Sequence, residues 1–128
     1  MPKLGLIGKE SLIVNLNKCA CSVGSGDLEV LATPVLAALM EQTAAQSLVG
    51  EIEPDKTTVG ISLNVKHIAP TPMGMTVRAE SELVEIDGRR LVFRITAQDA
   101  SGVVGTATHE RMIVDREAFL KKVAEKRK

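Results

Sequence analysis

Three side chains in this 128-residue chain have types and positions that could do chemistry: Thr33, Glu41 and His67. Glu41 is the only charged residue between Val35 and Val49 (VLAALMEQTAAQSLV), a stretch that is apolar or small almost throughout. A carboxylate buried in such surroundings costs on the order of several kcal/mol unless it is paired or protonated. Buried ionisable groups are enriched at functional sites, so Glu41 is read as functional. The plainer alternative is a carboxylate that reaches a surface groove or bonds a backbone amide. His67 closes an apolar alternation and precedes the stiff Ile68-Ala-Pro-Thr-Pro turn. A lone histidine there is a satisfied core residue. Beside an unexplained Glu41, proton transfer is an equal reading. Thr33 precedes Pro34, and Thr-Pro is a good helix opening, with Thr as the cap and Pro at the first helical position. A helix N-terminus also offers free N–H groups and partial positive charge, the ingredients of an oxyanion hole.

Spacing limits how these groups cooperate. Thr33 and Glu41 are eight residues apart, about 12 Å along a helix axis. One substrate carbonyl does not easily touch both in one chain. If they act together, each subunit of a dimer supplies one. His109-Glu110-Arg111 lies further on, with His109 and Arg111 on the same face as Gly105, Ala107 and Ile113. Arg111 could hold a substrate anion, but a structural ion pair is the simpler reading. Arg89 and Arg90 adjoin a turn and read as solvated. Cys19 and Cys21 stand too close for a good disulfide and lack zinc-ligand spacing, so both read as reduced thiols and no metal is expected.

The elements that must position these residues follow from periodicity. Ser11–Lys18 reads as a first strand, and 21–27 (CSVGSGD) as a loop. Thr33 to Val49 reads as a helix stopped by Gly50. In 57–67, Val59, Ile61, Leu63, Val65 and His67 share one face, with Thr58, Gly60, Ser62, Asn64 and Lys66 opposite. A strand over 76–86 changes phase at Leu83-Val84, which predicts a bulge. Asp87-Gly88 marks a hairpin. Strands from Leu91 and from Val103 to Val114 follow, then a short helix capped by Asp115 that carries Phe119 and Val123. The tail 125–128 reads as a solvated end. Tight turns make the sheet antiparallel, and the one long apolar helix must bury itself against it. The economical α+β arrangement is a strongly curved sheet wrapped around that helix. The helix is too apolar for one sheet face to cover, so a second subunit is expected.

Composition excludes several functions. Sixteen basic and sixteen acidic residues cancel, so no net field draws in nucleic acid or an anionic membrane. Only Phe93 and Phe119 are aromatic, too few for base stacking. No run approaches the roughly 20 apolar residues of a membrane span, and no signal peptide is read. The expectation is one cytoplasmic domain over residues 1–128.

The combined pattern is identifiable. Thr33-Pro-Val-Leu-Ala-Ala-Leu-Met-Glu41, Thr58-Val-Gly-Ile-Ser-Leu, Val65-Lys-His67-Ile-Ala-Pro-Thr-Pro-Met-Gly74, Asp87-Gly-Arg-Arg-Leu and Gly105-Thr-Ala-Thr-His-Glu-Arg111 resemble the hotdog-fold acyl-CoA thioesterases, nearest their fluoroacetyl-CoA thioesterase-like branch. The resemblance runs from about Thr33 to Phe119. It implies a homodimer with interfacial active sites, and a Thr-Glu-His set that falls on Thr33, Glu41 and His67. Glu41 would be the nucleophile or the base that activates water, His67 would carry protons, and Thr33 would hydrogen-bond the carboxylate or the thioester. Arg111 and Gly74 would shape the substrate site. Coenzyme A enters as part of an acyl-CoA substrate, with no separate cofactor. The branch has aromatic residues on the approach to the helix, whereas here 27–32 (DLEVLA) has none. A short or aliphatic acyl-CoA, or an acyl group on a carrier protein, therefore fits as well as a fluorinated acyl-CoA. Two further readings use the same scaffold: a non-catalytic dimer that binds acyl-CoA or another small ligand, and a hydratase. Glu41 separates enzyme from binder, because a sensor needs no carboxylate at the carbonyl.

Overall fold

The computed structural model describes residues 1–127. Five strands form one antiparallel sheet: β1 (Ile7–Ile13), β2 (Lys56–His67), β3 (Thr76–Asp87), β4 (Arg90–Asp99) and β5 (Gly102–Asp115). Their spatial order is β1-β3-β4-β5-β2, so β1 and β2 are the edges. The long helix α2 (Thr33–Ser47) follows a single-turn helix α1 (Ala20–Val23), and α3 (Arg116–Ala124) closes the fold. The curved sheet wrapped on one helix is the expected architecture.

The core lies between α2 and the inner sheet face. Leu36, Leu39, Met40 and Ala44 of α2 bury themselves against Val77, Ala79 and Leu83 of β3, and Leu91, Phe93, Ile95 and Ala97 of β4. Those strands alternate because every second side chain points to one face. The other flank of α2, with Pro34, Ala38 and Gln42, stays exposed in the single chain.

Several boundaries depart from expectation. The first strand runs from Ile7 to Ile13, not from Ser11 to Lys18. Its partner β3 begins at Thr76, opposite Ile13, so later residues have no strand to pair with. Leu16–Lys18 instead forms a 3-10 turn, and the expected loop at 21–27 opens within α1. Helix α2 ends at Ser47, and Gly50 just beyond takes φ +81°. Arg90 is not simply solvated, since it donates to Glu85 and to Glu110 across the sheet. Of the tail, Glu125–Arg127 is an exposed 3-10 turn, and Lys128 lies outside the described residues.

Bulges set the site. The expected one is at Val84, where Leu83 pairs with Phe93 and Glu85 with Val92. A second, unexpected one is at Ile61: Gly60 pairs with Arg111 and Ser62 with Glu110. One extra residue inverts the alternation. Thr58 and Gly60 therefore face the helix along with Leu63, Val65 and His67, and Ile61 is left 50% exposed. A third register shift, at Val104, lets its carbonyl accept from the N–H groups of Ile68 (2.8 Å) and Ala69 (3.2 Å).

That last feature anchors the turn after His67. Buried Thr71 donates its hydroxyl to Asp99 Oδ2 at 2.9 Å, and Asp99 Oδ1 accepts from the Ser101 N–H at 2.8 Å. The Thr71 carbonyl in turn accepts from the Leu31 N–H, 2.9 Å away, two residues before α2. The chain segments that enter α2 and leave β2 are thus tied together. Replacing Asp99 by Ala strands a buried hydroxyl, and the expected loss in denaturant unfolding is about 1–3 kcal/mol.

Candidate active site

Thr33 and His67 meet at one end of the molecule. Thr33 Oγ1 lies 2.7 Å from His67 Nδ1. This corrects the reading of Thr33 as a cap. The cap position is Ala32, whose carbonyl accepts from Val35 (3.1 Å) and Leu36 (3.0 Å), and no side chain caps the helix. The hydroxyl is engaged by the histidine instead. His67 Nε2 is buried with no hydrogen-bond partner among the described residues. Burial pushes the His67 pKa below the ordinary 6.5, with the Ala69 backbone opposing. Beside the pair lies a cavity of about 360 Å³, with Gly26, Asp27, Leu28, Ile68 and Pro70 on its walls. No phenylalanine, tyrosine or tryptophan lines it.

Glu41 stands one helix stretch away, about 12 Å along the axis from Thr33. Its side chain is 45% exposed in the single chain rather than buried, because it lies toward the flank of α2 that the sheet leaves open. Its charge is also met. Arg111 Nη1 is 3.5 Å from Glu41 Oε2, and His109 Nε2 is 4.0 Å from the same oxygen. Arg111 is only 7% exposed. Its Nε donates to Thr58 Oγ1 (2.9 Å) and its Nη2 to the Thr58 carbonyl (3.1 Å). Burial lowers its pKa against the pull of Glu41, but a guanidinium stays charged in a protein.

His109 is fully buried. Its Nδ1 is 2.8 Å from the Ser62 carbonyl. A carbonyl only accepts, so Nδ1 carries the hydrogen and neutral Nε2 offers a lone pair. That lone pair faces Arg111 Nη1 at 3.3 Å. Burial is the main reason the His109 pKa falls below 6.5; Arg111 adds to the fall, and the Ser62 carbonyl, Glu41 and Glu110 oppose it.

Gly60 completes this set. A Cβ there would overlap Glu41 Oε2 and come within 3.3 Å of His109 Cε1. A side chain at this position would push the carboxylate out of the place it occupies beside Arg111. Sequence reasoning assigned no role to Thr58, Gly60 or His109. The usable signal was Gly60 itself, since a glycine inside a strand marks a bulge or a close approach. Gly74 sits in the turn before β3 with φ +93° and is not among the residues lining the cavity beside Thr33 and His67. Among the described residues no three His, Cys, Asp or Glu side chains gather as a metal-binding group.

The family described as fluoroacetyl-CoA-specific thioesterase matches residues 14–117. The chain belongs to that family. A fluoroacetyl-CoA thioesterase of Streptantibioticus cattleyicolor is 38% identical over 98 residues, covering 77% of this chain and 70% of the relative. A solved fluoroacetyl-CoA thioesterase variant, in complex with acetyl-CoA, is 30% identical, covers 98% of both chains and superposes with a TM-score of 0.90. A hot-dog-like protein from Thermanaerovibrio acidaminovorans, 24% identical with a TM-score of 0.89 over 96% of this chain and 91% of its own, shares the fold. The hotdog architecture expected from sequence is thereby shown.

Both histidines titrate below their ordinary value in the folded chain. Between that lowered range and about 6.5 the unfolded chain binds protons that the folded chain refuses. Their contribution to stability is therefore complete above about 6.5 and lost as pH falls through the folded values. Denaturant unfolding followed from pH 7.5 to 5 should show stability declining on the acid side, and a double His67→Gln, His109→Gln variant should show a shallower decline.

Proposed function

We propose that this protein hydrolyses a small or medium acyl-CoA thioester, using Thr33, Glu41 and His67 at a homodimer interface. The observation that carries the reading is the state of Glu41. In a member of a thioesterase family, a helix carboxylate is held by one oxygen at 3.5 Å from Arg111, and no described residue bonds its Oε1. An oxygen so placed is free to attack a thioester carbonyl or to take a proton from water. In the first case the thiolate leaves and a mixed anhydride forms on Glu41, which water then hydrolyses. In the second the deprotonated water adds to the carbonyl and the thiolate leaves, so both end as free acid plus thiol. The thiolate that departs needs a proton, and His67 holds its Nε2 unbonded while Thr33 steadies Nδ1. Of the groups at the start of α2, the Thr33 N–H is the one left to meet charge on the carbonyl oxygen, since Pro34 has no N–H and Val35 and Leu36 donate to the Ala32 carbonyl.

Two observations support a homodimer. The Thr33–His67 and Glu41–Arg111 sets lie too far apart on one helix for a single carbonyl. Strand β2, which carries Gly60 and His67, is a sheet edge with Ile61 half exposed, and free edges invite pairing with a second copy. Antiparallel α2 helices would then set the start of one beside the middle of the other. The two cysteines are unpaired, which suits a reducing, cytoplasmic setting. No helix among the described residues is long and apolar enough to cross a membrane. The acyl group is read as short and aliphatic: apart from Ser25, Asp27, Thr33 and His67 the cavity walls are small or aliphatic, and the solved relative is in complex with acetyl-CoA.

The test is thiol release from a panel of acetyl-, fluoroacetyl-, branched and aromatic acyl-CoAs. Wild type should turn over the short aliphatic members. Glu41→Gln, which keeps the shape and removes the charge, should lose about 10²–10⁴-fold in kcat while still binding. Binding without turnover in wild type would make the protein a ligand-holding dimer instead. Sedimentation should give twice the mass of one chain.

A further inference from the structure

Arg111 poses a problem for the reaction just proposed. A guanidinium beside a carboxylate tends to close on it as a two-pronged ion pair, with both oxygens engaged. A carboxylate so engaged is a poor nucleophile and a poor base. Here Glu41 meets only one nitrogen, Nη1, through one oxygen, at the long distance of 3.5 Å. Something holds the fork back.

Thr58 accounts for two of the three nitrogens, since its hydroxyl takes Nε and its carbonyl takes Nη2. The third, Nη1, lies closer to His109 Nε2 (3.3 Å) than to Glu41 Oε2 (3.5 Å). His109 can hold it only with a lone pair on Nε2. The Ser62 carbonyl fixes that lone pair by taking the hydrogen on Nδ1. The ring cannot swing away, because it is wholly buried and lies against Phe93 with centroids 6.2 Å apart. The Ser62 carbonyl is delivered by the bulge at Ile61. A buried histidine with both nitrogens committed, one to the backbone and one to the arginine, has no need of such precision for packing alone.

We infer that His109 is a positioning residue for Glu41: its Nε2 holds Arg111 Nη1, so that the guanidinium steadies one carboxylate oxygen and leaves the other free to react. The inference rests on the thioester-hydrolase reading. His109 touches no substrate in this role; it acts through Arg111.

Two isosteres separate this from packing. In His109→Gln the side-chain oxygen reaches the place of Nε2 and accepts from Arg111. In His109→Asn the amide reaches only the place of Nδ1 and serves Ser62. The expected result is a kcat about 10–100-fold lower in the Asn variant, with KM little changed, and recovery of most of that loss in the Gln variant. Unfolding midpoints confirm that both variants fold. Nitrogen-15 NMR at neutral pH gives a readout that needs no turnover. Wild type should show the Nδ1–H tautomer at His109, and slowly exchanging Arg111 Nη1 protons that persist in the Gln variant and vanish in the Asn variant. An Nε2–H tautomer, equal losses in both variants, or full activity in the Asn variant overturns the inference. Wild type inactive on every acyl-CoA overturns the hydrolase reading instead, and the tautomer and guanidinium signals still decide whether His109 holds Arg111.

Discussion

One ion pair across the helix–sheet boundary, Glu41 against Arg111, sets the demands that the surrounding structure meets. A helix that must pack its apolar residues on a curved sheet also carries a carboxylate, and β5 supplies the opposing charge. A nearly buried guanidinium cannot be left with idle N–H groups. Thr58 must therefore turn inward, which requires β2 to change phase, which the bulge at Ile61 accomplishes. The same inversion brings Gly60 under Glu41, where a larger residue would displace the carboxylate from its place beside Arg111. Removing the Glu41 charge would leave the nearly buried Arg111 without its counter-ion, whereas Glu41, 45% exposed, would keep its hydration if Arg111 were lost.

The helix also acts as a ruler. Its rise separates the histidine end from the carboxylate end by about 12 Å, so each set is anchored at a different point along the sheet. The carboxylate set hangs on the β2–β5 ladder. The histidine set hangs on the turn after β2, fastened by the Val104 carbonyl and by Thr71 with Asp99. The two ends share α2, β2 and β5, and of these α2 has an uncovered flank and β2 an unpaired edge.

Much of the fold was legible because β3 and β4 bury apolar side chains at every second position over most of their length. The bulge at Val84 showed itself as a phase change between two apolar residues. The one at Ile61 did not, because the inward residues before it are Thr58 and Gly60. The site needs a hydroxyl and an empty space there, and both imitate the polar side of a strand. Alternation therefore reads smoothly through a break. Thr33 misled for a related reason: one hydroxyl suits a helix cap and a histidine partner equally, and only the position of His67 decides between them. Glu41 was legible as an anomaly of type, whereas its exposure depends on how far round the helix the sheet reaches. His109 was legible as an inward residue, but its work depends on a backbone carbonyl that no side-chain pattern reports.

The cavity beside His67 has walls of unequal origin. One wall, Ile68 to Pro70, is bonded to β5 and cannot change shape without disturbing the histidine. The facing wall, Gly26 to Leu28, lies on a loop joined to the rest chiefly through the main chain at Ala20 and Cys21. Side chains there hold nothing else in place. The shape of this cavity can thus drift by substitution on one loop, while the charged set under α2 stays under separate and much tighter constraint.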